Sequence, residues 1–237
     1  MSNKERLIVA LDFDSKEKAI QLVDKLKNDV KIFKIGSELF TSCGPSIVEE
    51  VKKRGCKVFL DLKFHDIPNT VAKAVASAAG LGVFILNVHA SGGIDMMKKA
   101  VAAVNEALRS SKTAKPKIIA VTVLTSMDEK NLKKTGVNDN METQVLRLAK
   151  LAKEAGLDGV VASASEVKLI RKNIGGDFLI VTPGVRPSWA AANDQKRVTT
   201  PKEAIESGSD FIVVGRPIIE APDPVSAAKK VLEEIAK

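Results

Sequence analysis

The chain has 237 residues, 45% hydrophobic and 4% aromatic, with a formal net charge of +8. That length suits one large α/β domain with a packed core, and the scarcity of aromatics argues against a nucleic-acid platform built on base stacking. The lysines are scattered, as in Lys98-Lys99, Lys133-Lys134 and Lys229-Lys230, so they read as solvated helix faces and not as a nucleic-acid stripe. Cys43 and Cys56 lack metal-ligand spacing, which fits a reduced, cytoplasmic setting. The apolar run at 7–11 is too short for a signal segment, and no run reaches the roughly 18 residues of a membrane span.

In chain order, short β-branched runs at 7–12, 31–35, 57–61, 83–88, 117–123, 158–162, 178–182 and 210–214 predict eight strands. Helical spacing lies between them, as in Ile94, Met97, Val101, Val104 and Leu108. Several helices are expected to stop at a glycine: Lys53-Arg54-Gly55, Glu154-Ala155-Gly156 and Glu206-Ser207-Gly208. The patterns at 155–161 and 207–214 repeat 52 residues apart, or two βα units of about 26 residues. With no linker or low-complexity stretch, residues 1–237 are expected to form a single (β/α)8 TIM barrel. An open doubly wound sheet is the runner-up, but Asp12-Phe13-Asp14-Ser15 stands where Gly-x-Gly-x-x-Gly would follow the first strand.

Barrel chemistry sits at the C-terminal ends of the strands. Those ends carry Asp12, Lys34, Asp61 and Lys63, with Asp66 just beyond the third strand. Two-residue alternation places Phe59, Asp61 and Lys63 on one face, and Ile32 with Lys34 on the inward face. Alternating charges on three adjacent strands are costly to bury unless paired, so they mark a functional mouth more than a lone structural ion pair. Strand 5 is expected to end in Val123-Leu124-Thr125-Ser126. Arg186 in the strand 7 loop and Gly215-Arg216 after strand 8 stand where barrels commonly hold phosphate. The long loop at 183–200 reads as a lid. His65 and His89 lack a second histidine at ligand spacing and read as a structural residue and a hydrogen-bonded rim residue. Nucleotide triphosphatase and covalent hydrolase motifs are missing.

These segments resemble bacterial-type orotidine 5'-monophosphate decarboxylases essentially end to end. The resemblance is carried by Val9-Ala10-Leu11-Asp12, Lys34-Ile35-Gly36, the run Asp61-Leu62-Lys63-Phe64-His65-Asp66-Ile67-Pro68-Asn69-Thr70, Asn87-Val88-His89-Ala90-Ser91-Gly92-Gly93, Thr182-Pro183-Gly184-Val185-Arg186-Pro187, Asp194-Gln195-Lys196-Arg197 and Val214-Gly215-Arg216-Pro217. Asp-x-Lys-x-x-Asp is shared with related sugar-phosphate enzymes that carry an acidic magnesium ligand where this chain has Lys34. A cation there repels a metal. The resemblance implies decarboxylation of orotidine 5'-monophosphate to UMP in pyrimidine synthesis, with no metal and no cofactor. It implies Lys63 as proton donor, flanked by Asp61 and Asp66 and balanced by Lys34. Asp12, Lys34 and Thr70 would meet the ribose, and Thr125 or Ser126 the pyrimidine. Arg186, Gln195, Gly215 and Arg216 would hold the phosphate, Ser188-Trp189 being a variable part of the lid. It also implies a homodimer in which Asp66 and Thr70 complete the partner's site. A barrel that only senses ribonucleotides is the competing class, and the intact Asp61, Lys63 and Asp66 speak against it.

Overall fold

The computed structural model describes residues 3–190 and 199–236. Its eight strands are β1 (Leu7–Ala10), β2 (Ile32–Gly36), β3 (Lys57–Phe64), β4 (Ile85–His89), β5 (Lys117–Val121), β6 (Gly159–Val161), β7 (Leu179–Thr182) and β8 (Phe211–Val214). They pair in parallel in sequence order, and β8 closes on β1. The fold is a (β/α)8 barrel.

Two apolar layers hold it together. Ile8, Ile32, Phe59, Ile85, Ile119, Val181 and Phe211 fill the barrel interior. Leu7, Val9, Phe33, Ile35, Val58, Leu60 and Leu86 point outward, under helices that include Lys16–Leu26, Pro68–Gly80 and Ile94–Ala107. The alternation along each strand sorts these layers, as a period of two requires. In Ile94–Ala107 the buried stripe is Met96, Met97, Ala100 and Val104. The expected helix stops at Gly55, Gly156 and Gly208 are present, each glycine with positive φ.

Two strand ends differ from expectation. β5 stops at Val121, so Thr125 and Ser126 belong to the following loop and not to the strand end. The second difference lies in β3. Against β4 its register runs Leu60↔Leu86 and then Phe64↔Val88, four residues on β3 facing two on β4. Within this bulge Lys63 has φ 50°, the sole non-glycine with positive φ among the described residues. Simple alternation therefore does not explain why Lys63 shares a face with Asp61; the bulge does.

Candidate active site

The inner face of β1–β3 is apolar at its base and charged at its mouth. Above Ala10, Ile32 and Phe59 stand Asp12, Lys34 and Asp61. The Lys34 ammonium lies 3.1 Å from Asp12 Oδ1 and 3.5 Å from Asp61 Oδ2. Lys63 Nζ lies 2.8 Å from Asp61 Oδ1. The result is one chain of alternating charge, Asp12–Lys34–Asp61–Lys63, with two carboxylates balanced by two ammoniums. Asp61 and Lys34 are its buried centre, with side chains 12% and 13% exposed. Burial at that depth is tolerable because every charge has an opposite neighbour.

Asn87 of β4 explains how the bulge is held. Its amide nitrogen donates to Asp61 Oδ1 at 2.6 Å, and its amide oxygen accepts from the Lys63 backbone N–H at 2.8 Å. Where the register slips, a fully buried side chain takes the place of a ladder bond. In the sequence, Asn87 stands out only as part of the motif Asn87-Val88-His89-Ala90-Ser91-Gly92-Gly93, which assigns it no role. The available signal was an amide between Leu86 and Val88 in an otherwise apolar strand, which must find partners once buried.

Glycines admit two of these charged groups. A Cβ on Gly215 would lie 3.2 Å from Asp12 Oδ2, and one on Gly36 would lie 3.2 Å from Lys34 Nζ. Gly215 also precedes the short helix Arg216–Ile219, so the β8 end packs directly against the β1 carboxylate.

The remaining predicted residues occupy two further places. Thr125 and Ser126 are exposed and line a cavity of about 340 Å³, together with Ser163, Glu166, Pro183 and Gly184. Arg186 is 3% exposed, and its backbone N–H donates to Thr199 O at 3.0 Å. Arg216 is half-buried beside Gly215. Gln195 lies outside the described residues, as do positions 191–198 of the expected lid.

Asp66 does not flank Lys63 within one chain. Among the described residues its carboxylate takes the N–H of Ile67 at 2.6 Å and forms no ion pair with Lys63. Asp66, Ile67, Asn69 and Thr70 are all exposed, Ile67 to 67%. His89 bonds to Ser91 Oγ through Nδ1 at 2.7 Å and stacks on His65 with centroids 5.4 Å apart. Burial first, then the nearby His65 and Lys63, hold the His89 imidazole below its ordinary 6.5. Among the described residues no three His, Cys, Asp or Glu side chains are grouped to hold a metal ion.

Comparison with known proteins finds relatives along nearly the whole chain. The profile of the Orotidine 5'-phosphate decarboxylase / HUMPS family matches residues 5–231. An orotidine 5'-phosphate decarboxylase of Syntrophotalea carbinolica is 54% identical over 233 residues, 98% of this chain and 96% of that one. One from Trichlorobacter lovleyi is 53% identical, over 98% of this chain and 95% of that one. The crystal structure of the Lactobacillus acidophilus orotidine 5'-phosphate decarboxylase superposes with a TM-score of 0.85 at 42% identity, covering 98% and 100% of the two chains. That from Pyrococcus horikoshii OT3 gives 0.76 at 27% identity, covering 98% and 99%.

Proposed function

Because the chain belongs to the orotidine 5'-phosphate decarboxylase family, we infer that it is a carboxy-lyase converting orotidine 5'-monophosphate to UMP and carbon dioxide in pyrimidine synthesis. The observation that carries the chemistry is the ion chain ending in Lys63 Nζ, held 2.8 Å from Asp61.

The reaction breaks the bond between C6 and its carboxylate, leaving the electron pair on a carbon with no adjacent π system to receive it. Stabilisation must therefore be electrostatic and preorganised. The Lys63 ammonium beside C6 opposes the developing charge and then gives its proton to C6, so a hydrogen replaces the departed carbon dioxide. Lysine is left neutral and regains a proton from solvent. Asp61 orients Lys63, and Lys34 compensates Asp61 and Asp12. An ammonium already fills the space between those two carboxylates, where a metal ion would have to sit. We therefore read the reaction as metal-free and without cofactor.

Asp12, Lys34 and Thr70 are assigned to the ribose, Thr125 or Ser126 to the pyrimidine, and Arg186, Gln195, Gly215 and Arg216 to the phosphate. Phosphate contacts far from C6 supply binding energy that builds the closed site around the reacting ring. We read residues 1–237 as one catalytic domain, acting in the cytoplasm without nucleic-acid or membrane partners. Among the described residues no helix is long and apolar enough to cross a membrane.

The exposed run Asp66, Ile67 and Thr70 supports a homodimer in which Asp66 and Thr70 enter the partner's site beside its Lys63. Mixing inactive Lys63→Ala and Asp66→Asn proteins should then restore about a quarter of all sites after random exchange, because one site of each mixed dimer is intact. Persistent inactivity with exchange independently confirmed removes the shared site. The function itself is tested by the ultraviolet absorbance of orotidine 5'-monophosphate with purified protein in excess chelator. Unchanged absorbance without chelator refutes the activity; loss in chelator that magnesium restores refutes the metal-free reading.

A further inference from the structure

Ser188 and Trp189 touch no residue of the ion chain, yet they are fastened to the C-terminal helix Pro224–Ala236. Ser188 donates twice to the same oxygen, Glu234 Oε1: from its backbone N–H at 3.2 Å and from its hydroxyl at 2.9 Å. Trp189 lies under Lys230, whose Nζ is 5.6 Å from the ring centroid. Lys230 and Glu234 are four residues apart and share one helix face. A turn closed by Ala190 N–H on Pro187 O, at 3.0 Å, presents Ser188 and Trp189 together. Glu234 Oε2 is buried and, among the described residues, has no hydrogen-bond partner. A surface glutamate ordinarily swings both oxygens into water; here the two bonds from Ser188 hold the carboxylate in, against the cost of an unsatisfied acceptor.

The fastened segment is two residues from Arg186. On its other side Arg186 is tied to Thr199 by its backbone N–H, and Val185 forms a bridge with the same residue. Pro187 allows little rotation between Arg186 and Ser188. The Arg186 backbone is thus fixed from both directions, by Thr199 on the mouth side and by Glu234 on the helix side.

We propose that Glu234 is a positioning residue for the phosphate end of the site, acting through Ser188 on Arg186, with Trp189 over Lys230 as a second clasp. The inference rests on the assignment of Arg186 to the phosphate. A brace that served only the C-terminal helix would change the melting temperature and not the handling of phosphate. The two are separated by assaying orotidine 5'-monophosphate and, at high enzyme concentration, the phosphate-free nucleoside orotidine. Glu234→Ala should raise KM for the monophosphate about tenfold, with kcat and the kcat/KM for orotidine within about twofold of wild type. Glu234→Gln keeps an acceptor for Ser188 and should recover most of that loss. Ser188→Ala removes one donation and should raise KM about threefold. Equal losses on both substrates, or an unchanged KM, overturn the proposal. Should Glu234→Ala fail to fold, Ser188→Ala decides alone, an unchanged KM again being the refuting result. Wild-type protein inert on the monophosphate would instead remove the functional reading, and the premise with it.

Discussion

The two halves of the barrel mouth are built differently. On the β1–β4 side, Asp12, Lys34, Asp61, Lys63 and Asn87 satisfy one another in a network anchored in strands or one or two residues past them. On the β5–β8 side the walls are mostly loops with helical pieces. They line a cavity with hydroxyls, backbone, apolar side chains such as Met141 and Val145, and the carboxylates of Asp128, Glu129 and Glu166, and, among the described residues, with no basic side chain. The first half needs no ligand to take its shape. The second leaves room for one. Rigid elements carry the groups that must meet developing charge, whereas loops carry the groups that recognise and enclose.

The contrast is broken most directly at Lys63. Lys63→Ala should lower kcat by about 10⁴-fold or more, since it removes both the proton donor and the charge opposing the carbanion. UMP affinity, measured by calorimetry, should change far less; near-normal turnover would disprove the assignment. Asn87→Ala should come next, with kcat down about 100-fold and a lowered melting temperature, because the Lys63 N–H and an Asp61 oxygen each lose a buried partner. A drop in stability with full turnover would mean the bulge does not depend on Asn87. On the loop side, Arg216→Ala should act mainly on KM, by about 10- to 100-fold, leaving kcat much nearer wild type. A loss confined to kcat would erase the distinction between the halves.

The smallest effect is a dependence of stability on pH. His89 is held below 6.5 in the folded protein and takes a proton near that value when unfolded. Below 6.5 the unfolded state therefore binds more protons, so the stabilising contribution is complete above 6.5 and is lost as pH falls toward the folded value. Wild type should lose about 2 °C more in melting temperature than His89→Asn on acidification through this window. Parallel curves would refute it.

Much of the charged half was legible in the sequence. Asp12, Lys34 and Asp61 follow apolar strands of period two, so their direction could be read from Ala10, Ile32 and Phe59. Lys63 fell on the correct face for the wrong reason. A two-residue bulge is invisible to alternation, and nothing local announces a lysine at positive φ. Asn87 lay in plain view, but its partners are 24 and 26 residues away, and only the closed barrel brings them together. The loop half was less legible for a related reason. Thr125 and Ser126 both line the same cavity, and no periodicity distinguishes them. Ser188 and Trp189 read as variable lid because their partners stand 46 and 41 positions later, on the last helix. Asp66 has no Lys63 contact in its own chain, and a single sequence does not state what a second copy supplies.

The Asn87 clamp has one more consequence, in hydrogen exchange. The Lys63 amide proton is held by a side chain and not by the β3–β4 ladder. Its exchange therefore requires only that the Asn87 amide swing away, an opening smaller than separation of the strands. Neighbouring β3 amides in regular pairing, such as that of Leu60, exchange by breaking the sheet itself. The lag between the two isolates the lifetime of the assembled charge network from the lifetime of the fold. One backbone proton thus serves as a clock for the site, readable without substrate or turnover.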